Sequence, residues 1–296
     1  MFKIFFKVII IVIVFVLLKI GQADAFSITP TKAIITVNAG ATDEYKIWIK
    51  NEEKNSKNFN LKITGFEQDN SGKPVFGNNK SEAEKWIKFN QNNLLLNIGE
   101  SKSVDIAIAV PIDAKPGSYY VAVVAEALSA SSSQISGTNL SGQVVSLLFL
   151  QVGGLVNESI KITKWEPQKD LIIGNNWNFY LNLANNGDIE TPMIGSLKIN
   201  NWRGQNIIEE KINLGNQLLA NSVRFLYPEM KLDSKSVYLP GLYQAQINIK
   251  YGKTGQTIAK MTNIWYFPKY SMWLGGCLAL ISILFFVFKK LRRSEK

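Results

Sequence analysis

The stretch VPIDAKPGSYYVAVVAEA, residues 110–127, decides the fold because its pattern recurs in the second half of the chain. In each copy a Pro-Gly turn precedes a tyrosine, which is followed by a run with apolar residues at every second position. The matched residues are Pro116, Gly117 and Tyr119 in one copy, and Pro240, Gly241 and Tyr243 in the other. Proline fixes φ and glycine permits positive φ, so each pair predicts a tight turn that starts a strand. Two copies indicate shared architecture rather than an active loop.

Short alternating strands fill the body of the chain, and helical periodicity is almost absent. We predict strands at 26–37, 44–50, 58–66, 103–110, 119–127 and 143–152, then at 159–165, 177–185, 195–200, 206–214, 222–228, 242–251 and 256–267. Six or seven short strands per unit are typical of an immunoglobulin-like sandwich. The prediction is an all-β fold with two tandem Ig-like β-sandwich domains, 26–153 and 156–267. A single large barrel is the main alternative, and the repeat argues against it.

Two segments between the strands have a different character. Residues 81–89 read as a short helix, with Ser81 and Glu84 at the spacing of a capping box. The Ser/Gly-rich segment 129–142 predicts a long connection between strands.

Residues 1–25 have the pattern of a secretory signal peptide. Lys3 and Lys7 precede an apolar run, and the segment ends Ala-Asp-Ala, so Ala23 and Ala25 mark the expected cleavage site. An uncleaved signal anchor is the alternative. The apolar run is shorter than the roughly 20 residues a spanning helix needs, which favours cleavage.

Residues 270–288 form an uncharged apolar run that suits one transmembrane helix. Trp265, Tyr270 and Trp273 lie on its amino-terminal side, where aromatic side chains favour the membrane interface. Residues 289–296 form a basic tail, which the positive-inside rule places in the cytoplasm. We therefore expect a single-pass cell-membrane protein with an extracytoplasmic body.

The net charge of +10 comes mostly from these two ends. The remaining body carries 25 basic and 21 acidic residues, which leaves only +4. A nucleic-acid partner is not expected from this balance.

The residue types restrict the chemistry. The chain has no histidine, and its single cysteine, Cys277, lies in the apolar run. The body therefore has no disulfide, no Ser-His-Asp or Cys-His nucleophile and no ordinary zinc site. Paired carboxylates remain available for glycoside hydrolysis, at Asp43, Glu44, Glu67, Asp69, Asp113 and Glu126. We expect no enzymatic activity and no cofactor, and a bacterial envelope as the setting.

Two oxygen-rich stretches and several tryptophans are candidates for binding sites. Residues 69–72 and 185–188 lack the ligand spacing of a calcium loop, so turns are the preferred interpretation. Trp86, Trp165 and Trp177 are predicted core residues. Trp202 beside Arg203 is the weak candidate for ligand contact, at a polar hairpin tip. A tip that folds back onto its own domain is the alternative.

Two segments precede the repeated turns in a characteristic order. Residues 86–89, Trp-Ile-Lys-Phe, precede Val-Pro-Ile-Asp-Ala-Lys-Pro-Gly-Ser-Tyr at 110–119, and residues 220–225, Ala-Asn-Ser-Val-Arg-Phe, precede the second Pro-Gly turn. In this layout the sequence resembles the WxL-interacting protein family. The resemblance implies an N-terminal peptidoglycan-binding Ig-like domain, a second Ig-like domain that binds proteins, and a membrane anchor. The matches are turn and strand positions, so no binding residue is carried over.

The leading expectation is thus a non-enzymatic, membrane-anchored surface protein that binds cell-wall glycan, other envelope proteins or both. The alternative is an Ig-like chaperone or assembly factor for exported proteins, which predicts an open sheet edge and a cleft between the domains. A carbohydrate-active enzyme that uses carboxylates is the third hypothesis.

Overall fold

The computed structural model describes residues 26–77, 81–128, 142–215, 217–232 and 239–294. It contains two β-sandwiches in tandem, followed by one helix, α1 (Lys269–Ser294). The predicted all-β class with two Ig-like sandwiches is confirmed. The predicted signal peptide, with Ala23 and Ala25, lies outside the described residues, as does nearly all of the Ser/Gly-rich segment 129–142.

The first sandwich consists of two sheets that enclose one core. Its elements are β1 (Phe26–Thr29), β2 (Lys32–Val37), β3 (Thr42–Asn51), β4 (Lys57–Gln68), β5 (Pro74–Phe76), a 3-10 helix (Glu82–Trp86), β6 (Ile87–Phe89), β7 (Asn93–Leu96), β8 (Ser101–Ala109), β9 (Gly117–Leu128) and β10 (Gln143–Val152). One sheet has the order β1-β3-β8-β6. The other has the order β2-β10-β9-β4-β5, and β7 also pairs with β4.

The second sandwich repeats this plan. Its strands are β11 (Ile160–Pro167), β12 (Leu171–Ile173), β13 (Asn176–Asn185), β14 (Thr191–Asn200), β15 (Asn206–Ile212), β16 (Gln217–Leu218), β17 (Val223–Leu226), β18 (Glu229–Lys231), β19 (Gly241–Tyr251) and β20 (Gln256–Phe267). The smaller sheet contains β11-β13-β17, with β18 on β13. The larger has the order β12-β20-β19-β14-β15, with β16 on β14.

The first predicted strand, 26–37, is divided between the two sheets. It stops at Pro30, which lacks an N–H for a ladder bond, and the chain then changes sheet. β1 pairs antiparallel with β3, whereas β2 pairs parallel with β10. The second sandwich does the same, with β11 antiparallel to β13 and β12 parallel to β20. Each opening strand thereby ties its two sheets together.

The alternating residues of the facing sheets fill two cores. In the first, Phe59, Ile47, Ile106 and Leu148 are fully buried. Trp86 lies in this core, and Trp165 and Trp177 lie in the second, as predicted. The second core also buries Phe179, Leu181 and Ile247. Each sandwich thus rests on apolar packing without disulfides, in keeping with the absence of cysteine from the body.

The predicted capping box at Ser81 is wrong. The helix there is a 3-10 turn, and Ser81 makes no capping hydrogen bond through its side chain. The Glu84 carboxylate instead accepts a hydrogen bond of 2.6 Å from the backbone N–H of Gly65 in β4. Because β5 and β7 leave the middle of that β4 edge uncovered, Glu84 satisfies a strand donor rather than a helix donor.

The helix α1 follows the last strand after Pro268. Its segment Lys269–Phe286 is long and apolar enough to cross a membrane by length and composition, and none of it is buried against the sandwiches. The helix continues to Ser294, so most of the predicted basic tail is helical in the structure.

Candidate functional site

The repeated turn has the same geometry in both sandwiches. The hydroxyl of Tyr119 donates to the carbonyl of Lys115 at 3.0 Å, and that of Tyr243 donates to the carbonyl of Leu239 at 2.9 Å. A tyrosine that bonds to backbone a few residues upstream is the tyrosine corner of Ig-like folds. Burial is the main factor that raises the pKa of both phenols. Asp113 is exposed in the turn before Tyr119.

The first turn also contacts the second sandwich. The N–H of Ser118 donates to the carbonyl of Asp188 at 2.8 Å. A Cβ at Gly117 would lie only 3.0 Å from that carbonyl oxygen, at a φ of +146°. Glycine is therefore required here both for the turn and for the close approach of the neighbouring backbone.

The stretch 185–188 is a turn that docks on the first sandwich. Asn185 Oδ1 accepts from the N–H of Gly187 at 2.9 Å, and Asp188 Oδ2 accepts from the N–H of Asn157 at 2.8 Å. The oxygen atoms that suggested a metal loop are thus satisfied by backbone donors.

The stretch 69–72 is a turn of the first sandwich that docks on the second sandwich. Asp69 Oδ1 accepts from the backbone N–H groups of Lys73 and Ser71 at 2.8 and 2.9 Å, and these bonds lower the pKa of Asp69. At the tip of this turn, the carbonyl of Asn70 accepts from the N–H of Phe225 in β17 at 2.7 Å. In the described part of the chain, no group of three or more acidic or cysteine side chains is placed to hold a metal ion.

Between these two turns lies a small apolar cluster that joins the sandwiches. The rings of Phe66, Tyr120 and Phe149, all on the outer face of the larger sheet of the first sandwich, lie 5.4 to 5.7 Å apart. Leu219 of the second sandwich packs against them. Edge-on and tilted ring contacts at these distances add to the stabilisation that comes from the buried apolar area.

A polar network borders this cluster. Glu190 of the second sandwich is buried, and it accepts from Gln151 Nε2 at 2.6 Å and from the hydroxyl of Tyr120 at 3.4 Å. The same hydroxyl accepts from the N–H of Ala220 at 2.9 Å. Burial, and then the adjacent Glu190, raise the pKa of Tyr120, so the phenol stays protonated and remains a donor.

A second buried charge, Arg224, lies on the other side of the cluster. Its side chain donates to the carbonyl of Leu214 at 2.8 Å and to that of Gln217 at 2.5 Å, and it forms no ion pair among the described residues. Burial lowers the pKa of Arg224. Gly72 of the first sandwich lies so close that a Cβ there would approach Arg224 Nε at 3.0 Å.

Arg224 lines a cavity of about 420 Å³ between the sandwiches. Lys32, the first residue of β2, lies on the opposite wall, with its ammonium 4.2 Å from the ring centre of Phe149. Lys32 also donates to Gln217 Oε1 at 3.0 Å. The described lining contains two cations and no carboxylate, so the cavity is a positively charged cleft.

β2 is the end strand of its sheet, and its outer edge is open among the described strands. The carbonyls of Thr31 and Val37 accept from the N–H groups of Leu147 and Gly153, so the odd-numbered residues of this segment face β10. Since backbone direction alternates along a strand, Lys32, Ile34 and Thr36 direct their N–H and C=O groups away from the sheet. The Ile34 side chain is 52% exposed. Native proteins commonly protect edge strands from pairing with other chains by charges, prolines or bulges, whereas this six-residue edge has one charged residue.

Trp202 and Arg203 lie at the tip of the β14–β15 hairpin. Trp202 is 60% exposed, and the Arg203 guanidinium lies 4.5 Å from its ring centre. Asn201 Oδ1 shapes the tip by accepting from two backbone N–H groups at 3.0 Å. β14 begins beside Glu190, so ten strand residues, about 30 Å, separate this tip from the domain interface.

No protein-family model and no curated protein matches the chain. Solved structures that resemble it include a chaperone-tip adhesin complex of CFA/I fimbriae biogenesis, at 12% identity over 80% of this chain and 98% of the other, with a TM-score of 0.47. The class 5 fimbriae chaperone CfaA has 11% identity over 80% and 99%, with a TM-score of 0.46. The E. coli chaperone DraB has 10% identity over 84% and 98%, with a TM-score of 0.38. At these identities the likeness concerns the fold alone.

These comparisons correct three expectations. The resemblance to the WxL-interacting protein family is wrong, because no family model matches and the similar solved structures are fimbrial chaperones. Peptidoglycan binding, which that resemblance implied, and cell-wall glycan as a partner are wrong with it. The third expectation was the membrane as a partner that the chain crosses once. Among the described residues, the structure does not support it beyond one helix of suitable length and composition.

The sequence reasoning missed Tyr120, Glu190, Arg224 and the β2 edge. One signal was present: β9 is apolar on both faces, since Ala122 and Val124 point away from the core of their own sandwich and are nevertheless buried. A strand with two buried faces indicates a second packing partner. Nothing comparable distinguishes Glu190 or Arg224 in the sequence.

Proposed function

We propose that this protein is a non-enzymatic chaperone or assembly factor for exported proteins, which holds a segment of a client as an additional strand on the β2 edge. The single observation that carries the proposal is the row of outward backbone groups at Lys32, Ile34 and Thr36. An extended peptide can pair with such a row through main-chain hydrogen bonds, which depend little on the client's sequence.

The surroundings of the edge support this proposal. Lys32 lies both at the start of β2 and in the wall of the interdomain cavity, so an added strand would lead into that cleft. The apolar cluster and the two docking turns join the two sandwiches that form the cleft. A client would therefore meet a preformed surface, which lowers the entropy lost on binding.

The proposed location is the outer side of a membrane, with α1 as a single-pass anchor and the sandwiches outside the cytoplasm. The apolar composition of Lys269–Phe286 and the aromatic residues before it support this location. The domain limits 26–153 and 156–267 and a ligand contact at the exposed pair Trp202–Arg203 stay predictions.

The test is site-specific photo-crosslinking in cells, with a benzophenone amino acid at Thr36 in the full-length protein. We expect exported proteins to be crosslinked there, and far fewer from the matched position Ile112, which is exposed in a turn. Ile34→Pro removes an N–H that faces the open edge and leaves the pairing with β10, so it should abolish the crosslinks without unfolding the protein.

Ile34→Lys provides a second variant, because a charge on an edge strand disfavours strand addition. Crosslinking at Thr36 that survives both substitutions, or that merely equals the yield at Ile112, would overturn the strand-addition proposal.

A further inference from the structure

An apolar patch covers one corner of the second sandwich, next to the beginning of α1. Leu171 and Ile173 in β12 are in register with Trp265 and Phe267 in β20. Their neighbours in sequence, Ile172 and Tyr266, are buried in the core, so the four side chains share the outer face of the sheet. All four are between 42% and 54% exposed. We call them the corner patch.

The corner patch is confined to the end of the sheet that leads into α1. Further along the same outer face, Gln244, Asn263 and Lys250 are polar, and the exposed apolar residues Met261 and Ile194 are each paired with a polar neighbour, Gln246 and Lys250. A sheet face that faced water throughout would have polar residues at both ends. Four large apolar side chains side by side therefore indicate that this corner has a different environment from the rest of the face.

The patch is continuous with the surface of the helix. Phe267 precedes the first residue of α1 by only two positions. Ile173 lines an open, almost wholly apolar hollow of about 650 Å³ together with Lys269, Trp273, Gly276 and Leu280 of α1. The helix surface that would meet lipid is thus continuous with the sheet face through this hollow, in whose described lining Lys269 is the single charged residue.

We propose that the corner patch inserts into the headgroup region of the outer leaflet, so that the lipid surface itself covers this end of the second sandwich. Tryptophan and other aromatic side chains favour that region, and Lys169 and Lys269 beside the patch suit anionic headgroups. The contact fixes the tilt of the two sandwiches above the membrane, because a sheet corner attached at two strands cannot rotate freely about α1. This inference rests on the proposed anchoring by α1 and is independent of client binding.

The test places nitroxide spin labels on the full-length protein in vesicles of phosphatidylethanolamine and phosphatidylglycerol, in a Cys277→Ser background. Labels at Ile173→Cys and at Leu280→Cys should collide readily with oxygen, which concentrates in the bilayer, and poorly with a water-soluble nickel chelate. The control, Ile194→Cys, is exposed on the outer face of the same sheet in β14 and should show the reverse. We expect the oxygen-to-nickel ratio at position 173 to exceed that at 194 at least tenfold.

Three results would overturn the inference. A label at 173 with the same nickel accessibility as the label at 194 means that the corner faces water. Protection of the label at 173 from both reagents means that a protein covers the corner. In that case, spin-spin broadening that grows with protein density in the vesicles identifies the covering protein as a second copy of this chain. Loss of oxygen accessibility at 280 as well would instead remove the proposed anchor, which separates that failure from a failure of the patch alone.

Discussion

The amide of Gln151 in the first sandwich donates a hydrogen bond of 2.6 Å to the carboxylate of Glu190 in the second. Glu190 is 4% exposed, and Tyr120 is its other donor. A buried acceptor held by two groups from the neighbouring domain gives the interface a polar contact of defined geometry beside its apolar cluster. Domain orientation thereby depends on matched polar groups as well as on apolar area.

Removal of the Glu190 carboxylate should destabilise the protein through the partners it leaves behind. Glu190→Ala leaves the partly buried Gln151 amide without its acceptor, so we expect the free energy of unfolding to fall by about 1–3 kcal/mol. Denaturant unfolding of the full-length protein in detergent measures this. The control is Glu166→Ala, which removes only an exposed ion pair with Lys164 and should change the stability by less than about 0.5 kcal/mol. Equal effects of the two substitutions would contradict the role of Glu190.

Substitution of Phe149 by alanine should uncouple the sandwiches. Phe149 contacts the other two rings of the interface cluster and lies outside the core of its own sandwich. Its loss leaves a cavity at the interface, which costs about 3–5 kcal/mol for a well-packed ring. We expect calorimetry to show one unfolding transition for the native protein and two for Phe149→Ala. Phe76→Ala, at a more exposed ring, is the control and should retain one transition.

The two tyrosine corners should contribute equally and independently. Tyr119→Phe and Tyr243→Phe each remove one hydrogen bond to a backbone carbonyl, with an expected loss of about 1 kcal/mol. Because the residues lie in different sandwiches, the double substitution should show the sum of the two effects. Tyr227→Phe, at an exposed tyrosine, should leave the unfolding midpoint unchanged. A cooperative loss in the double variant would mean that the two corners are coupled through the interface.

The contact between the Asp69 turn and β17 should weaken in acid. Backbone N–H donors, that of Lys73 first, lower the pKa of Asp69 below its ordinary value of 3.8. The stabilising contribution of a carboxyl with a lowered pKa is complete above the unfolded-state value and is lost as pH falls through the folded-state value. The amide resonance of Phe225, which bonds to Asn70, should therefore shift below pH 3.8. In Asp69→Asn this acid-dependent shift should disappear, and a shift that persists would assign the titration to another group.

The strands and the repeated turn were predictable because both depend on local sequence. β10 has the predicted bounds, and Tyr119 and Tyr243 occupy equivalent positions because a Pro-Gly turn fixes the start of the next strand. The change of sheet at Pro30 was missed, although the apolar alternation shifts there from even positions, Phe26 and Ile28, to odd positions, Ala33, Ile35 and Val37. At the interface, the two apolar faces of β9 indicate a packing partner but do not identify it: Tyr120 and Phe149 look like ordinary strand residues until the second sandwich is placed against them.

The open edge of β2 also could not be predicted from the local sequence. Ile34 belongs to a run that reads as an interior strand, and only the sheet order reveals that β2 is terminal. Arg224 lies in a segment used for a family resemblance, whereas the structure gives it a role in the wall of the interdomain cleft. These properties arise from contacts between residues far apart in sequence, which periodicity does not encode.

The direct connection of the last strand, β20, to α1 affects how the second sandwich responds to force. β20 leads directly into α1 and pairs with β19 through eleven register positions, while β12 lies parallel to it on the other side. Under the proposed function, a pull between a client and the helix would enter the second sandwich along β20, at right angles to its antiparallel hydrogen bonds. Those bonds are loaded in shear and must break together rather than one after another, so the sandwich nearest the helix is built to bear tension.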